Sequence, residues 1–207
     1  FGNPEAVLDM IEQHTADILF EGKRPVMLGG EHLITLGVLR AVLKKYPEVH
    51  ILHLDAHTDL RQEYLGERLS HASVIRRAWD LTGDGRIHQF GIRSGEKSEF
   101  AFAAQHTDLH RFTLESWWDT LKALHGKPVY LTLDLDVLDP AVLPGTGTPE
   151  PGGVSFTELL SAVLQLHKVQ LVGCDIVELA PHYDQSGAST AVACKLTREI
   201  LLQMKGA

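Results

Sequence analysis

Short apolar runs alternate with segments of helical periodicity along the chain, and this alternation limits the possible folds more than any other feature. The runs at 25–28, 50–54 and 129–133 are each followed by glycine or charged residues. Segments with apolar residues at helical spacing separate them, as at 5–20. Parallel strands that are buried on both faces have unbroken apolar sequences of this kind. The pattern therefore predicts a three-layer α-β-α fold with a mostly parallel central sheet.

The predicted elements cover most of the chain. Strands are expected at 25–28, 50–54, 86–92, 109–113, 129–133 and 169–177. Helices are expected at 5–20, 33–46, 71–81, 96–106, 115–125, 155–167 and 187–204, with a loop rich in Pro and Gly at 140–153. No linker, repeat or low-complexity tract divides the sequence, so residues 1–207 are expected to form one domain.

Composition excludes several classes of protein. Hydrophobic residues make up 44% of the chain and charged residues 22%, which favours a globular protein over a disordered one. There is no run of eighteen apolar residues, so no membrane span is expected. The net charge of −8 comes without a cluster of Lys and Arg, which argues against nucleic-acid binding. With two cysteines and no recognisable signal peptide, we expect a cytoplasmic protein with reduced thiols.

Acidic and histidine residues collect where the predicted strands end, which is where open α/β sheets bind ligands. The sequence has 12 His and 27 acidic residues in all. Residues i, i+2 and i+4 of an extended segment point to one side, so Asp55, His57 and Asp59 are expected to converge. The same spacing relates Asp134 and Asp136. Asp139, which breaks this parity, is expected to be a turn residue before a proline.

A metal centre is the interpretation that explains this set best. Any one of these residues alone could be a surface or capping group. Several carboxylates in a partly buried crevice repel one another, and two divalent cations would cancel that charge. Carboxylate oxygens mixed with imidazole suit Mn²⁺, with Fe, Co or Zn as alternatives. The candidate ligands are His32, Asp55, His57, Asp59, Asp134 and Asp136.

Three segments resemble the signature motifs of the ureohydrolases, the arginase and agmatinase superfamily. They are GGEH at 29–32, DAHTD at 55–59 and DLDVLDP at 134–140. Within the family the chain is most similar to the bacterial agmatinases, through segments at 59–61, 70–73, 91–95 and 144–148. Family members extend further at the N-terminus, so an opening strand–helix unit is expected to be missing here.

The resemblance implies a binuclear manganese centre with two Mn²⁺ per subunit. Asp55 and Asp134 would bridge the two ions together with a water or hydroxide, His32 and Asp59 would complete one site, and His57 and Asp136 the other. Such a centre would hydrolyse a guanidinium group to urea and an amine, with Asp59 orienting the nucleophile. The family also implies a homo-oligomer, either a trimer or a hexamer.

Three further residues receive roles through the resemblance. His71 would be the proton shuttle for the leaving amine, although it could instead cap the following helix. Glu178 would bind the substrate guanidinium in a bidentate manner, although a structural ion pair is the alternative. Thr148 would lie beside the guanidinium; alternatively, it only stabilises a turn. His53, inside a strand, is expected to lie in the core or behind the metal ligands.

The substrate is expected to be a small guanidinium compound. Arginases resemble one another in an acidic residue at the position of Ser94, and its absence favours agmatine over arginine, with putrescine and urea as products. Arginine, guanidinobutyrate and formiminoglutamate remain alternative substrates. A non-catalytic fragment or assembly subunit is the alternative of a different class, although such a protein has no need for converging carboxylates.

Overall fold

The computed structural model describes residues 3–205, whose strands form one six-stranded sheet. The strands are β1 (Val26–Leu28), β2 (His50–Leu54), β3 (Ile87–Ile92), β4 (Asp108–Arg111), β5 (Pro128–Asp134) and β6 (Gln170–Val177). They lie in the order β1-β6-β5-β2-β3-β4, and each neighbouring pair is parallel. The predicted parallel sheet is therefore confirmed, with strand bounds close to those expected from the sequence.

The helices are α1 (Pro4–Phe20), α2 (Ile34–Lys45), α3 (Val74–Thr82), α4 (Lys97–His106), α5 (Trp117–Ala123), α6 (Phe156–Val163) and α7 (Ala188–Lys205). Several of them are shorter than predicted, and in two cases a 3₁₀ turn occupies part of the predicted range. The helix expected at 71–81 opens as a 3₁₀ turn, His71–Ser73, and the helix expected at 155–167 ends at Val163 and is followed by a separate 3₁₀ turn, Leu166–Lys168. None of the helices described within residues 3–205 combines the length and apolar content of a membrane span.

Apolar residues are buried on both faces of the sheet, because successive strand side chains point to opposite sides. In β2, Leu52 and Leu54 pack into one core with residues of α5, α6 and α7. Ile51 packs into a second core with residues of α1, α2 and α3. All three side chains are fully buried. This arrangement gives the predicted three layers, and it explains why the strand sequences are apolar without alternation.

Strand register brings three strand ends to the same level. Leu54 at the end of β2 is aligned with Leu133 in β5, and Leu133 is aligned with Ile176 in β6. The residues that follow Leu54 and Leu133 are Asp55 and Asp134, so two predicted ligands leave neighbouring strands side by side. The central position of β5 and β2 in the sheet places these residues away from its edges.

Gly91 in β3 allows the close approach of the segments that carry the site. Its φ is +82°, a left-handed backbone conformation that residues other than glycine rarely adopt. A Cβ here would lie 2.6 Å from Cγ2 of Val137 and 3.1 Å from the carbonyl oxygen of Asp55. Only glycine therefore satisfies both the backbone conformation and the packing at this position.

We predict that Gly91→Ala destabilises the protein more than Gly85→Ala. Gly85 has a similar φ of +74° but no atom within 4 Å of its Cβ position, so it is a matched control for backbone strain alone. Overpacking typically adds about 1–3 kcal/mol to the strain. Urea denaturation measures the free energy of unfolding of both variants, and equal losses would contradict the packing argument.

Candidate metal centre and active site

The His32 side chain lies among three carboxylates. Its Nδ1 atom is 3.4 Å from Oδ2 of Asp55, 3.2 Å from Oδ2 of Asp59 and 3.2 Å from Oδ2 of Asp134. All four side chains are buried. Despite these short distances, His32 Nδ1 has no hydrogen-bond partner. Three carboxylate oxygens and one imidazole nitrogen therefore surround the same point, and no protein atom forms a hydrogen bond with that nitrogen.

A second group of ligand atoms adjoins the first. His57 Nδ1 is 3.0 Å from Oδ2 of Asp136 and 3.4 Å from Oδ1 of Asp55. The Oδ2 atom of Asp136 is buried and lacks a hydrogen-bond partner. Because Asp55 directs Oδ2 toward His32 and Oδ1 toward His57, it belongs to both groups. The carboxylate of Asp55 therefore connects the two groups.

The backbone brings these side chains together by a route that the sequence argument did not predict. An extended chain was expected, but Asp59 has a φ of +52° in the left-handed region. Asp136 lies in a 3₁₀ turn, Leu135–Val137, and its amide donates to Oδ1 of Asp134 at 2.8 Å. The expected convergence occurs, but the parity argument for it was wrong. Asp139 is a turn residue as expected, since its carboxylate accepts from the amides of Ala141, Gly152 and Gly153.

The pKa shifts express the repulsion between these carboxylates. Burial, together with the charges of Asp136 and Asp55, raises the pKa of Asp134 well above its ordinary value. Burial and the charge of Asp55 also raise the pKa of Asp59. For His32, burial alone would lower the pKa, but the three surrounding carboxylates favour the protonated imidazole and raise the pKa well above its ordinary value. Each shift is the response of a site that contains more negative charge than its own residues neutralise.

The residues fit a pair of divalent cations. The donor set combines carboxylate oxygens with imidazole nitrogens, which is the chemistry that Mn²⁺, Fe, Co and Zn accept. Each group also has one buried ligand atom without a partner, Nδ1 of His32 in the first and Oδ2 of Asp136 in the second. A buried polar atom of this kind is costly unless something binds it. Cations at these two points would supply the missing partners.

A chain of hydrogen bonds behind the site orients Asp55. Thr107 Oγ1 donates to Oε1 of Gln89, and the Gln89 amide nitrogen lies 2.8 Å from the carbonyl of Thr58 and 3.0 Å from Nδ1 of His53. Since an amide NH₂ donates, Nδ1 of His53 accepts and its Nε2 carries the proton. That Nε2 donates to Oδ2 of Asp55 at 2.7 Å. His53 therefore lies behind a candidate ligand, where the sequence argument expected it.

Arg93 fixes the loop that follows β5, and the sequence argument missed this role. Its buried guanidinium donates to the carbonyl oxygens of Asp136, Val137 and Leu138, and to that of Glu150. These bonds hold the 3₁₀ turn that carries Asp136 and the far end of the loop together. The sequence identifies Arg93 only as part of the segment at 91–95, because nothing in a single sequence shows that a guanidinium faces carbonyl groups.

A cavity of about 690 Å³ opens above the carboxylate cluster. His71 lines it, half-exposed, with Nδ1 3.5 Å from Oε2 of Glu31. Hydrogen bonding to Glu31 raises the pKa of His71 above its ordinary value of 6.5. Tyr64 packs edge-on against the His71 ring, with a centroid distance of 5.5 Å. The sequence identifies Glu31 only as part of the first motif, and the fold brings it into contact with His71, the predicted proton shuttle.

Glu178 directly follows the end of β6, lines the cavity and has a constrained backbone. Its φ is +62°, its amide donates to the carbonyl of Gly30 at 2.8 Å, and its Oε1 accepts from the amide of His32 at 2.9 Å. Burial raises the pKa of Glu178 to about 7. Thr148 lines the same cavity. A partly desolvated carboxylate in this position is suited to bind a cationic group that enters the cavity.

All nine predicted site residues come together at the carboxyl ends of the strands. Asp55 and Asp136 lie beneath the cavity floor, and the other seven line it: His32, His57, Asp59, His71, Asp134, Thr148 and Glu178. Gln89 and Arg93 were not predicted from the sequence; they do not line the cavity, and they act by orienting other residues. Their only sequence signal is polarity inside an apolar strand or beside one.

Comparisons with known proteins agree with this arrangement. The model of the Arginase family matches residues 1–203. The chain is 48% identical to the agmatinase of Bacillus anthracis over 206 residues, 98% of this chain and 71% of the relative, and 35% identical to a guanidinobutyrase of Pseudomonas aeruginosa over 95% of this chain and 66% of the relative. The crystal structure of the agmatine ureohydrolase of Thermoplasma volcanium matches with a TM-score of 0.88 at 36% identity, covering 99% of this chain and 70% of that one. The chain therefore belongs to the arginase family, as its motifs predicted, and is an enzyme of the ureohydrolase class.

Proposed function

We propose that the protein hydrolyses agmatine to putrescine and urea, using two Mn²⁺ ions bound at the strand ends. The observation that carries the proposal is the convergence of three carboxylates on the unpartnered Nδ1 of His32, directly beneath a cavity that also holds Glu178 and His71. The relatives named agmatinase support the choice of reaction.

The proposed ligands divide into two overlapping sets. Asp55 and Asp134 are shared, His32 and Asp59 complete the first set, and His57 and Asp136 complete the second. When bound, the two cations would supply an activated water as nucleophile and would offset negative charge that develops during the reaction. The proposal of manganese rests on the mixed oxygen and nitrogen donors.

The remaining steps belong to side chains of this protein. Glu178 would hold the guanidinium through two charge-assisted hydrogen bonds and so fix its carbon above the carboxylate cluster. Asp59 would orient the attacking water by accepting its proton in a hydrogen bond. His71 would give a proton to the departing amine, from Nε2, because its Nδ1 faces Glu31. The amine must leave protonated, since a free amide anion is too basic to be a leaving group in water.

The charge of the cavity supports agmatine over arginine. Agmatine carries a second cation and no carboxylate, whereas arginine and guanidinobutyrate both carry a carboxylate. Among the described residues that line the cavity, Arg61 is the one Arg or Lys side chain, and it is paired with Glu96 at 3.2 Å and Glu99 at 3.7 Å. Glu31 and Glu150 add further negative charge to the lining. A substrate carboxylate would therefore lack an uncommitted cationic partner.

We predict that urea release is at least about 100-fold more efficient with agmatine than with arginine or guanidinobutyrate, because the acidic cavity disfavours a substrate carboxylate. The measurement is kcat/KM for the three compounds, side by side, with added Mn²⁺. Equal or greater efficiency with arginine would contradict the proposed substrate. Efficient hydrolysis of guanidinobutyrate alone would indicate that the protein is a guanidino-acid hydrolase instead.

Glu178→Gln is expected to lower kcat/KM for agmatine by about 100-fold or more, because the amide loses the charge and one acceptor for the guanidinium. Glu150→Gln is the matched control. Glu150 lines the same cavity, but its carboxylate accepts a hydrogen bond from Oγ of Ser94 at 3.1 Å. Its substitution is therefore expected to lower kcat/KM less than tenfold. Similar losses in both variants would remove Glu178 from its proposed role.

We further predict that Glu31→Gln lowers the pKa of His71 toward 6.5. The Glu31 carboxylate stabilises the imidazolium, so it keeps His71 protonated to higher pH, and its neutralisation shifts the titration to lower pH. Proton NMR of the imidazole resonances against pH measures this shift. The His71→Gln spectrum identifies the resonance, and an unchanged midpoint in Glu31→Gln would show that Glu31 does not control the proton shuttle.

A further inference from the structure

Asp175 is a buried carboxylate that the proposed reaction does not use. It lies within β6, two residues before the strand ends, and its side chain has no solvent exposure. Its Oδ2 accepts from the hydroxyl of Tyr130 and its Oδ1 from the hydroxyl of Thr132, both at 2.7 Å. Burial raises the pKa of Asp175, and the charge of His32 and the hydroxyls of Tyr130, Thr132 and Thr35 oppose that rise because they stabilise the carboxylate. A fully buried acid with two such donors needs a reason beyond packing.

The strand register explains how Asp175 reaches toward the site. Thr132 in β5 is aligned with Asp175 in the neighbouring β6. Tyr130 lies two residues before Thr132 and so points to the same face of the sheet. On that face Thr132 also meets His32, whose Nε2 lies 2.9 Å from Oγ1 of Thr132. Thr132 therefore stands between a buried carboxylate and a candidate metal ligand.

The proton of Thr132 determines the direction of this chain. A hydroxyl has one proton, and Thr132 donates it to Asp175. Its oxygen must then accept from Nε2 of His32. The other nearby hydroxyl, that of Thr35, lies 3.5 Å from Thr132 Oγ1 and is a weaker partner than the carboxylate at 2.7 Å.

The proton on Nε2 of His32 determines the state of the other ring nitrogen, Nδ1. A neutral imidazole carries one proton, so a proton on Nε2 leaves Nδ1 with a free lone pair. That lone pair faces the carboxylates of Asp55, Asp59 and Asp134 and has no hydrogen-bond partner. In this tautomer the site offers only electron-pair donors to its centre, which is the arrangement that a divalent cation requires.

We propose that Asp175 is a positioning residue: acting through Thr132, it holds His32 in the tautomer and orientation in which Nδ1 binds a divalent cation. The inference deepens the proposed function and rests on its metal centre. Groups behind a ligating histidine typically change metal affinity by 10–100-fold when they are lost. Asp175 itself touches neither the proposed substrate nor the proposed ions.

The test compares Thr132→Val with Thr132→Ser. Valine keeps the shape of threonine but removes the hydroxyl, whereas serine keeps the hydroxyl and loses a methyl group. We expect Thr132→Val to raise the Kd for Mn²⁺ at least tenfold and Thr132→Ser to leave it within about threefold. The electron paramagnetic resonance signal of free Mn²⁺ measures Kd without any substrate, and circular dichroism verifies that each variant folds.

Two more variants separate the proposed chain from general packing. Asp175→Asn has one side-chain oxygen for two hydroxyl donors, so it is expected to raise Kd at least tenfold, with no further loss when combined with Thr132→Val. Thr35→Val removes a buried hydroxyl from the same pocket but not from the path between Asp175 and His32, and is expected to stay within about threefold.

The possible results have distinct meanings. If Thr132→Ser binds Mn²⁺ more weakly than Thr132→Val, or if Thr35→Val costs as much as Thr132→Val, the effect is one of packing and the inference is overturned. Tight binding by Thr132→Val overturns it as well, while leaving the metal centre intact. If the unsubstituted protein binds no Mn²⁺, the proposed metal centre itself fails, and the affinity of the variants is not needed to show it.

Discussion

Mutual repulsion among buried carboxylates is the constraint on which the rest of this structure depends. Asp55, Asp59 and Asp134 all approach one imidazole nitrogen, and burial makes their charges costly to hold together. A chain that only had to fold would avoid this arrangement. The neighbouring elements maintain it, and the pKa shifts record its energetic cost. The site is therefore organised for positive charge that the protein does not itself provide in sufficient amount.

The fold maintains this arrangement with rigid elements outside the cluster. Parallel strands in register bring Asp55 and Asp134 to the carboxyl end of the sheet, and the apolar layers on both faces hold the strands in place. Asp59 and Glu178, two proposed functional residues, have left-handed backbone conformations. Such conformations cost of order 1–3 kcal/mol each, and they persist where the surroundings fix them. Here the amide contacts of Glu178 with Gly30 and His32 provide that fixing.

Two buried histidines of the site, His32 and His53, each have one nitrogen whose hydrogen-bond partner lies behind the site. Gln89 determines the tautomer of His53, and Thr132 determines that of His32. The two series of hydrogen bonds reach the carboxylate cluster from different strands, β3 and β5. Polar groups inside otherwise apolar strands are costly unless fully hydrogen-bonded, which is the state observed for both. The polar residues of the sheet interior and the acidic residues at its carboxyl end are thus connected by hydrogen bonds.

The sequence by itself determined the layered fold, the element order and the identity of the candidate ligands, because apolar periodicity and strand-end residues are local signals. It predicted Asp55, His57 and Asp59 together, but for the wrong geometric reason, since the left-handed turn at Asp59 depends on the surrounding structure. Only the tertiary structure decided the roles of Gln89, Arg93, Glu31 and Asp175. Each acts through a partner distant in sequence or on a neighbouring element, and a single sequence does not record which side chains a fold brings into contact.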